Sequence, residues 1–159
     1  MRDWTRRAVV SGLALPLLAE TPPAPLKEFD RGPALPPELV KEFVGAAHGN
    51  LDKTRAMLEK VPGLLNATWD WGGGDFETAL GGASHMGRRD IALLLLENGA
   101  RMDLFAAAML GKLELIQAAA AVFPNLQKTL GPHKISLIVH ARKGGAEAAA
   151  MVAFLGKLG

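Results

Sequence analysis

The chain has 159 residues, 49% of them apolar and 21% charged, which excludes a disordered protein and suits one ordinary domain. It has no cysteine, so disulfides, thiolate catalysis and cysteine-ligated metal sites are excluded. The net charge of +2 lies in residues 1–19, because the rest carries 15 basic and 15 acidic residues; we therefore expect no nucleic-acid partner. With 26 alanines and 25 leucines, the composition predicts an all-α protein.

Residues 1–19 have the organisation of an export signal, because arginines precede an uncharged apolar stretch from Ala8 to Ala19. The run Thr5–Val10 (TRRAVV) resembles the twin-arginine signal of bacteria, which implies export in a folded state through Arg6 and Arg7. The stretch spans about 18 Å as a helix, too short for the ~30 Å hydrocarbon core, so membrane contact is expected only during export. We expect a periplasmic or exported protein, or a cytoplasmic one if this segment instead begins the domain.

Residues 20–37 are predicted to form a linker. Six of the ten prolines of the chain fall in this stretch. Proline removes a backbone donor and favours an extended conformation of the residue before it, so we expect a polyproline-like tether between the signal and the domain.

The remaining sequence contains a repeated signature, Gly-x-x-Asp/Glu, preceded by small residues and followed by an apolar helical run. It occurs at Gly49–Asp52, Gly87–Asp90, Gly111–Glu114 and Gly144–Glu147, with spacings of 38, 24 and 33 residues. Each copy predicts a pair of helices. The glycine is expected to end the first helix in a left-handed conformation, and the acidic residue to lie in the first turn of the second helix.

Two segments of the second copy resemble the ankyrin repeat, a β-turn with two antiparallel helices in about 33 residues. Glu77–Gly87 (ETALGGASHMG) is similar to that family's Thr-Pro-Leu-His-x-Ala-Ala-x-x-Gly, and Asp90–Ala100 (DIALLLLENGA) to its second helix and closing Gly-Ala. The resemblance implies an ankyrin-repeat solenoid of about four helix pairs with short β-turn or hairpin loops over residues 38–159. The repeats would cover about 38–67, 68–100, 101–125 and 126–159.

The spacings depart from the family's period in two places. The first is five residues longer than 33, and the excess lies in Trp69–Phe76, which predicts an enlarged finger. The second is nine residues shorter, and Gly99–Asp103 leaves no space for a hairpin, which predicts a missing finger. Gly131–His133 is expected to form the turn before the last first helix.

No catalytic constellation is found. Gly82–Met86 (GASHM) lacks the final glycine of a nucleophile elbow, and Ser84 falls within a predicted helix, so we expect it to pack between helices. Gly72–Gly74 lacks the Lys-Ser/Thr ending of a phosphate loop and is interpreted as hairpin. The sequence therefore predicts a protein that is not an enzyme and has no cofactor.

The four histidines have no metal-ligand spacing, and no metal site is predicted. Stacked repeats would bring His48 and His85 near each other on one face, which we interpret as a surface pair rather than a ligand pair. His140 occupies a small-residue position and is expected to be a core or cap histidine.

The predicted binding surface combines the finger with the ends of the first helices. Aromatic residues on a glycine-rich loop are typical of binding hot spots, although these tryptophans could instead pack against their own repeat or against the linker. The residues proposed to bind a partner are Trp69, Asp70, Trp71, Asp75, Phe76, His85, Met86, Met109 and Leu110.

The resemblance implies an exported, non-enzymatic scaffold that binds a protein through its concave face and its enlarged finger. The alternative is a small-ligand-binding or enzymatic protein with a pocket under the 69–76 loop. Asp70, Asp75, His85 and the tryptophan pair would line that pocket.

Overall fold

The computed structural model describes residues 32–158, so the predicted export signal and most of the predicted linker lie outside the described residues. From Pro33 onwards the chain belongs to one compact unit. The described residues form eight α-helices and one two-stranded antiparallel sheet, which confirms the prediction of a mostly helical protein. The helices are α1 Pro37–Ala46, α2 Leu51–Lys60, α3 Ala79–His85, α4 Arg89–Glu97, α5 Leu104–Met109, α6 Leu113–Val122, α7 Leu137–Lys143 and α8 Ala149–Lys157; the strands are β1 Thr68–Asp70 and β2 Phe76–Thr78.

The helices pack in consecutive pairs, α1 on α2, α3 on α4, α5 on α6 and α7 on α8. The first helices of the pairs form a row in which α1 contacts α3, α3 contacts α5 and α5 contacts α7. Two apolar clusters fill the interior, one between α1 and α5 and one between α5 and α8. Each amphipathic pair buries its apolar face against the next pair, since a single pair has too little surface to form a core. Among the described residues, no helix is long and apolar enough to cross a membrane.

Side-chain caps set where several helices begin. The side chain of Asn50 accepts the backbone N–H of Lys53 at 3.0 Å at the start of α2. Asp103 accepts the N–H of Ala106 at 2.7 Å at the start of α5. These bonds satisfy backbone donors that have no partner within the helix.

Acidic residues lie in the first turn of three of the four second helices, as predicted for Asp52, Asp90 and Glu114. The prediction is wrong for Glu147, which lies in the short 3-10 helix Gly145–Ala148 because α8 begins only at Ala149.

The left-handed glycine is found in only two of the four copies of the signature, at Gly87 and Gly111, with φ values of 71° and 70°. The prediction is wrong for Gly49 and Gly144. In the fourth copy Gly145 takes the left-handed conformation instead, with φ 65°. Gly144 has φ −73° and is needed for a different reason: a Cβ there would fall inside the carbonyl oxygen of Met109 at the end of α5.

The presence or absence of a hairpin agrees with the length of the sequence between successive copies of the signature. A hairpin forms over residues 68–78, where the sequence has extra length. No strand occurs between α4 and α5 in the described chain, where the sequence is short. Both predictions are confirmed.

The prediction that Met109 and Leu110 belong to the binding surface is wrong. They are only 0% and 3% exposed and cannot contact a partner. The alanines Ala106–Ala108 of α5 are fully buried, and their small side chains let α3 and α7 approach from both sides. The end of α5 is therefore enclosed between its neighbours rather than open on a face.

Candidate functional site

The enlarged finger, residues 68–78, is a hairpin in which Asp70 pairs with Phe76 and Trp69 pairs with Glu77. Its turn contains three successive glycines, Gly72–Gly74, with φ values of 133°, 65° and 86° that side chains rarely adopt. The carboxylate of Asp70 accepts the backbone N–H groups of Gly72 at 2.8 Å and Gly74 at 3.1 Å. The glycines are therefore needed for the shape of the turn, and Asp70 holds that turn together.

The last strand of the finger places a carboxylate inside and an aromatic ring outside. Phe76 is 61% exposed, whereas Glu77 is 1% exposed. Successive residues of a strand point to opposite sides, so this sequence directs the charged side chain inward. A buried carboxylate is costly unless other groups compensate it.

Three histidines surround this carboxylate. His85 Nε2 lies 3.0 Å from Glu77 Oε1, while His48 Nε2 and His133 Nε2 lie 3.3 and 3.4 Å from Glu77 Oε2. His48 Nε2 and His85 Nε2 are 3.1 Å apart. One ligand-type atom from each of the four residues lies within 4.8 Å of every other. We refer to Glu77, His48, His85 and His133 as the four-residue cluster.

The first helices of two successive pairs supply two of these histidines. His48 follows the end of α1, and its Nδ1 lies 2.9 Å from the carbonyl oxygen of Val44. Its ring lies against Gly82 in α3, where a Cβ would come within 2.8 Å of His48 Cε1. His85 is the last residue of α3. Stacking of the two pairs thus brings the two histidines together, and glycine at position 82 makes room for the His48 ring.

His133 reaches the cluster from the loop before α7, more than forty residues along the chain from His85. Its backbone and that of Lys134 are left-handed, with φ values of 56° and 58°. For residues other than glycine this conformation costs about 1 kcal/mol or more. Asp75 compensates this cost by accepting the backbone N–H of His133 at 2.8 Å, and its other oxygen lies 2.7 Å from His133 Nδ1.

The hydrogen-bond partners of the Nδ1 atoms determine the tautomer of each imidazole, and therefore whether its Nε2 atom carries a hydrogen or a lone pair. The carbonyl of Val44 and the carboxylate of Asp75 only accept hydrogen bonds, so Nδ1 of His48 and of His133 each carry a hydrogen. In the neutral ring the Nε2 atom then carries the lone pair. Both of these Nε2 atoms face Glu77.

The electrostatics of the cluster favour an ionised carboxylate. Burial would raise the pKa of Glu77, but the imidazoles of His48 and His85 and the indole N–H of Trp71 outweigh it and hold the pKa well below its usual range. Contact with Glu77 raises the pKa of His48 against the opposing effect of burial. The backbone N–H of His133 holds the pKa of Asp75 below its ordinary value. The carboxylates of Glu77 and Asp75 are therefore held in their ionised forms, and Glu77 favours a positive charge on the neighbouring His48.

One atom of the cluster has no hydrogen-bond partner. Trp71 Nε1 donates to Glu77 Oε2 at 2.7 Å. Among the described residues Oε1 is buried and accepts no hydrogen bond, although it lies 3.0 Å from His85 Nε2 as a charge partner when that imidazole is protonated. An unpartnered buried carboxylate oxygen in a ring of imidazole nitrogens is the feature of this site that most needs an explanation.

Of the residues predicted to bind a partner, three expose a large part of their surface and the others contact the rest of the protein. Trp71, Phe76 and Met86 expose 38%, 61% and 47% of their surfaces. Trp69 packs against the apolar cluster between α1 and α5, with the ammonium of Lys41 5.5 Å from its ring centre. Asp70 and Asp75 shape the finger and its contact with His133, and His85 belongs to the cluster.

Ser84, expected to pack between helices, and His140, expected to be a core or cap histidine, are both buried in the structure. Ser84 is buried in α3 and its hydroxyl donates to the carbonyl of Leu80 at 2.6 Å, as expected for a packing serine. His140 is 1% exposed with Nδ1 2.9 Å from the carbonyl of Ser136, as expected for a core histidine. Burial lowers the pKa of His140.

The sequence does not indicate Glu77 or His133 as site residues. His48 and His85 lie close together as predicted, but they are not a surface pair, because their side chains are only 25% and 11% exposed and face the buried Glu77. The sequence pattern of β2 could have indicated Glu77, because side chains alternate along a strand and an exposed Phe76 places Glu77 on the inner side. His133 had no local signal, because its position depends on how the last pair packs against the finger. Chemically, the cluster can share protons among its imidazoles or hold a cation.

Comparisons with protein-family models, with curated proteins and with solved structures find no match to this chain.

Proposed function

We propose that the protein is a non-enzymatic helical-repeat scaffold of the ankyrin type that binds a protein partner through the finger and the adjoining end of α3. The observation that carries this proposal is the exposed apolar surface of Trp71, Phe76 and Met86. Exposed aromatic and methionine side chains are characteristic of interaction sites.

The arrangement of the helices supports the ankyrin type. Four consecutive helix pairs, a continuous row of first helices and a hairpin between the first two pairs agree with that architecture. Under this proposal the repeats are about 38–67, 68–100, 101–125 and 126–159. The binding surface is narrower than the sequence implied, because Met109 and Leu110 are buried.

The first prediction concerns Phe76, which is 61% exposed and lies on the opposite side of the strand from the buried Glu77. We expect Phe76→Ser to weaken partner binding by about 30-fold, because truncating an aromatic anchor at an interface costs about 2 kcal/mol. The measurement is affinity capture from periplasmic extract, followed by titration of the captured protein. The matched control is Val122→Ser at the end of α6, which is 69% exposed and distant in sequence from the finger.

A protein captured by the wild type and Val122→Ser, but lost with Phe76→Ser, would support the finger as the binding surface. Equal capture by all three chains would contradict it.

The second prediction concerns export, which we propose on the basis of residues 1–19. Replacing Arg6 and Arg7 with lysine keeps the charge, but removes the guanidinium pair that characterises the twin-arginine signal. We expect the variant to stay in the cytoplasm when the cells are fractionated. Undiminished export of the double variant would reject this route.

The second candidate function, a ligand site under the finger, is favoured by the four-residue cluster and is developed next for one class of ligand.

A further inference from the structure

We infer that the four-residue cluster is a binding site for one divalent transition-metal ion of the zinc class, with Glu77 and the Nε2 atoms of His48, His85 and His133 as ligands. This inference is independent of the protein-binding function proposed above. It rests on the convergence of four ligand atoms, on the unpartnered oxygen of Glu77 and on the groups that orient each ligand.

The spacing of the ligand atoms fits a small tetrahedral ion. Zinc–nitrogen and zinc–oxygen distances of about 2.0–2.1 Å place tetrahedral ligands about 3.3–3.4 Å apart. Nε2 of His48 lies 3.1 Å from Nε2 of His85 and 3.3 Å from Glu77 Oε2, which is also 3.4 Å from Nε2 of His133. Nε2 of His85 lies 3.0 Å from the other carboxylate oxygen, Oε1. The widest separation among the ligand atoms is within 4.8 Å, so a contraction of the cluster would complete the coordination.

A proton satisfies the cluster less well than a metal ion. One proton bridges a single pair of atoms, whereas here three imidazole nitrogens and a carboxylate converge on one another. In their neutral forms, with the hydrogen on Nδ1, His48 and His133 present lone pairs towards Glu77, and a metal ion would replace any proton held at Nε2. A cation among the four atoms would be attracted by every one of these groups and would give Oε1 a partner.

The ligand types select the class of metal. Imidazole nitrogen suits zinc, copper, iron and nickel, whereas calcium and magnesium require mainly oxygen ligands. Four protein ligands in a tetrahedral arrangement are typical of a structural zinc site, because a catalytic site keeps one position open. We therefore assign the ion a structural role.

Each of three ligands is oriented by a further group, as in known metal sites. The carbonyl of Val44 holds His48, the carboxylate of Asp75 holds His133, and the indole of Trp71 holds Glu77. Gly82 leaves the space that the His48 ring occupies. The left-handed backbone at His133 and Lys134 is explained in the same way, since it delivers the His133 imidazole to the cluster.

An ion has a route to the site. An open pocket lies between the turn of the finger and the loop before α7, lined by Gly72–Gly74, Asp75, Leu130 and His133. The side chain of His133 is 33% exposed and that of Glu77 is 0% exposed, so the ion would enter past His133. Once bound, it would tie the finger and that loop to α1 and α3.

The third prediction is that the untagged full-length chain binds one zinc ion in equilibrium dialysis against a competing chelator. His133→Asn is the principal variant, because asparagine tolerates the left-handed conformation but lacks the imidazole. We expect its zinc affinity to fall about a hundredfold or more, because loss of even an orienting group costs 10- to 100-fold. Lys134→Asn is the matched control, with the same new side chain at the adjacent left-handed position.

A second variant, Glu77→Gln, keeps an oxygen that can accept the N–H of Trp71 but removes the negative charge, and we expect a comparable loss. Cobalt is the spectroscopic probe, because tetrahedral Co²⁺ absorbs visible light far more strongly than the hydrated ion. One zinc per chain, a tetrahedral cobalt spectrum and losses confined to His133→Asn and Glu77→Gln would support the site. Failure of the wild type to bind zinc, or equal binding by His133→Asn and the wild type, would overturn it.

Discussion

Replacement of Gly144 with alanine is expected to lower the free energy of unfolding by about 3 kcal/mol or more, because it overpacks a close contact between α5 and the end of α7. A Cβ at position 144 would overlap the carbonyl oxygen of Met109 and lie 2.7 Å from Ala148 Cβ. The Met109 oxygen belongs to backbone at the end of α5, so relief requires α5 and α7 to separate. Urea unfolding monitored by circular dichroism measures the effect.

The control is Gly156→Ala in α8, where an added Cβ meets nothing within 4 Å. There alanine should raise the free energy of unfolding by about 0.5–1 kcal/mol, because glycine loses more conformational entropy on folding. The two substitutions are chemically identical and differ in predicted sign. If both variants had the same stability, the close packing of α5 against α7 would be wrong.

Zinc is expected to raise the melting temperature of the wild-type chain by about 10 °C or more. A ligand that binds only the folded state at about a thousand times its dissociation constant adds about 4 kcal/mol. For a domain of this size each kcal/mol corresponds to about 2–8 °C. Thermal unfolding is compared with zinc and with a chelator, for the wild type, Lys134→Asn and His133→Asn.

The stabilisation should persist in Lys134→Asn and largely disappear in His133→Asn. A shift of equal size in His133→Asn would show that zinc stabilises the protein elsewhere. The absence of any shift in the wild type would contradict a structural role for the ion.

Local patterns predicted most of the helical architecture. The apolar runs after each signature became second helices, and the acidic residues Asp52, Asp90 and Glu114 lie in their first turns. The spacing also predicted the hairpin over Trp69–Phe76 and its absence over Gly99–Asp103. These features depend on residues close together in sequence, where propensity and chain length are decisive.

Features that depend on packing between pairs were not predictable in the same way. Whether Met86 or Met109 is exposed depends on how closely the neighbouring helices approach, because both come after a run of small buried residues and yet Met86 is 47% and Met109 0% exposed. The four-residue cluster combines residues that are far apart in the sequence. His48 follows α1, Glu77 lies in β2, His85 ends α3 and His133 lies in the loop before α7. A search for metal-ligand spacing fails there, because such spacing describes ligands on one helix or one loop.

The most direct test of a metal site beneath the finger is a nitrogen-15 NMR spectrum of the imidazole side chains, recorded before and after one equivalent of zinc. We predict that the Nε2 signals of His48, His85 and His133 move to metal-bound positions, while Nδ1 of His48 and of His133 remain protonated. His140 is buried outside the cluster and serves as the internal control, with unchanged signals. Unchanged Nε2 signals in all three cluster histidines would contradict the account.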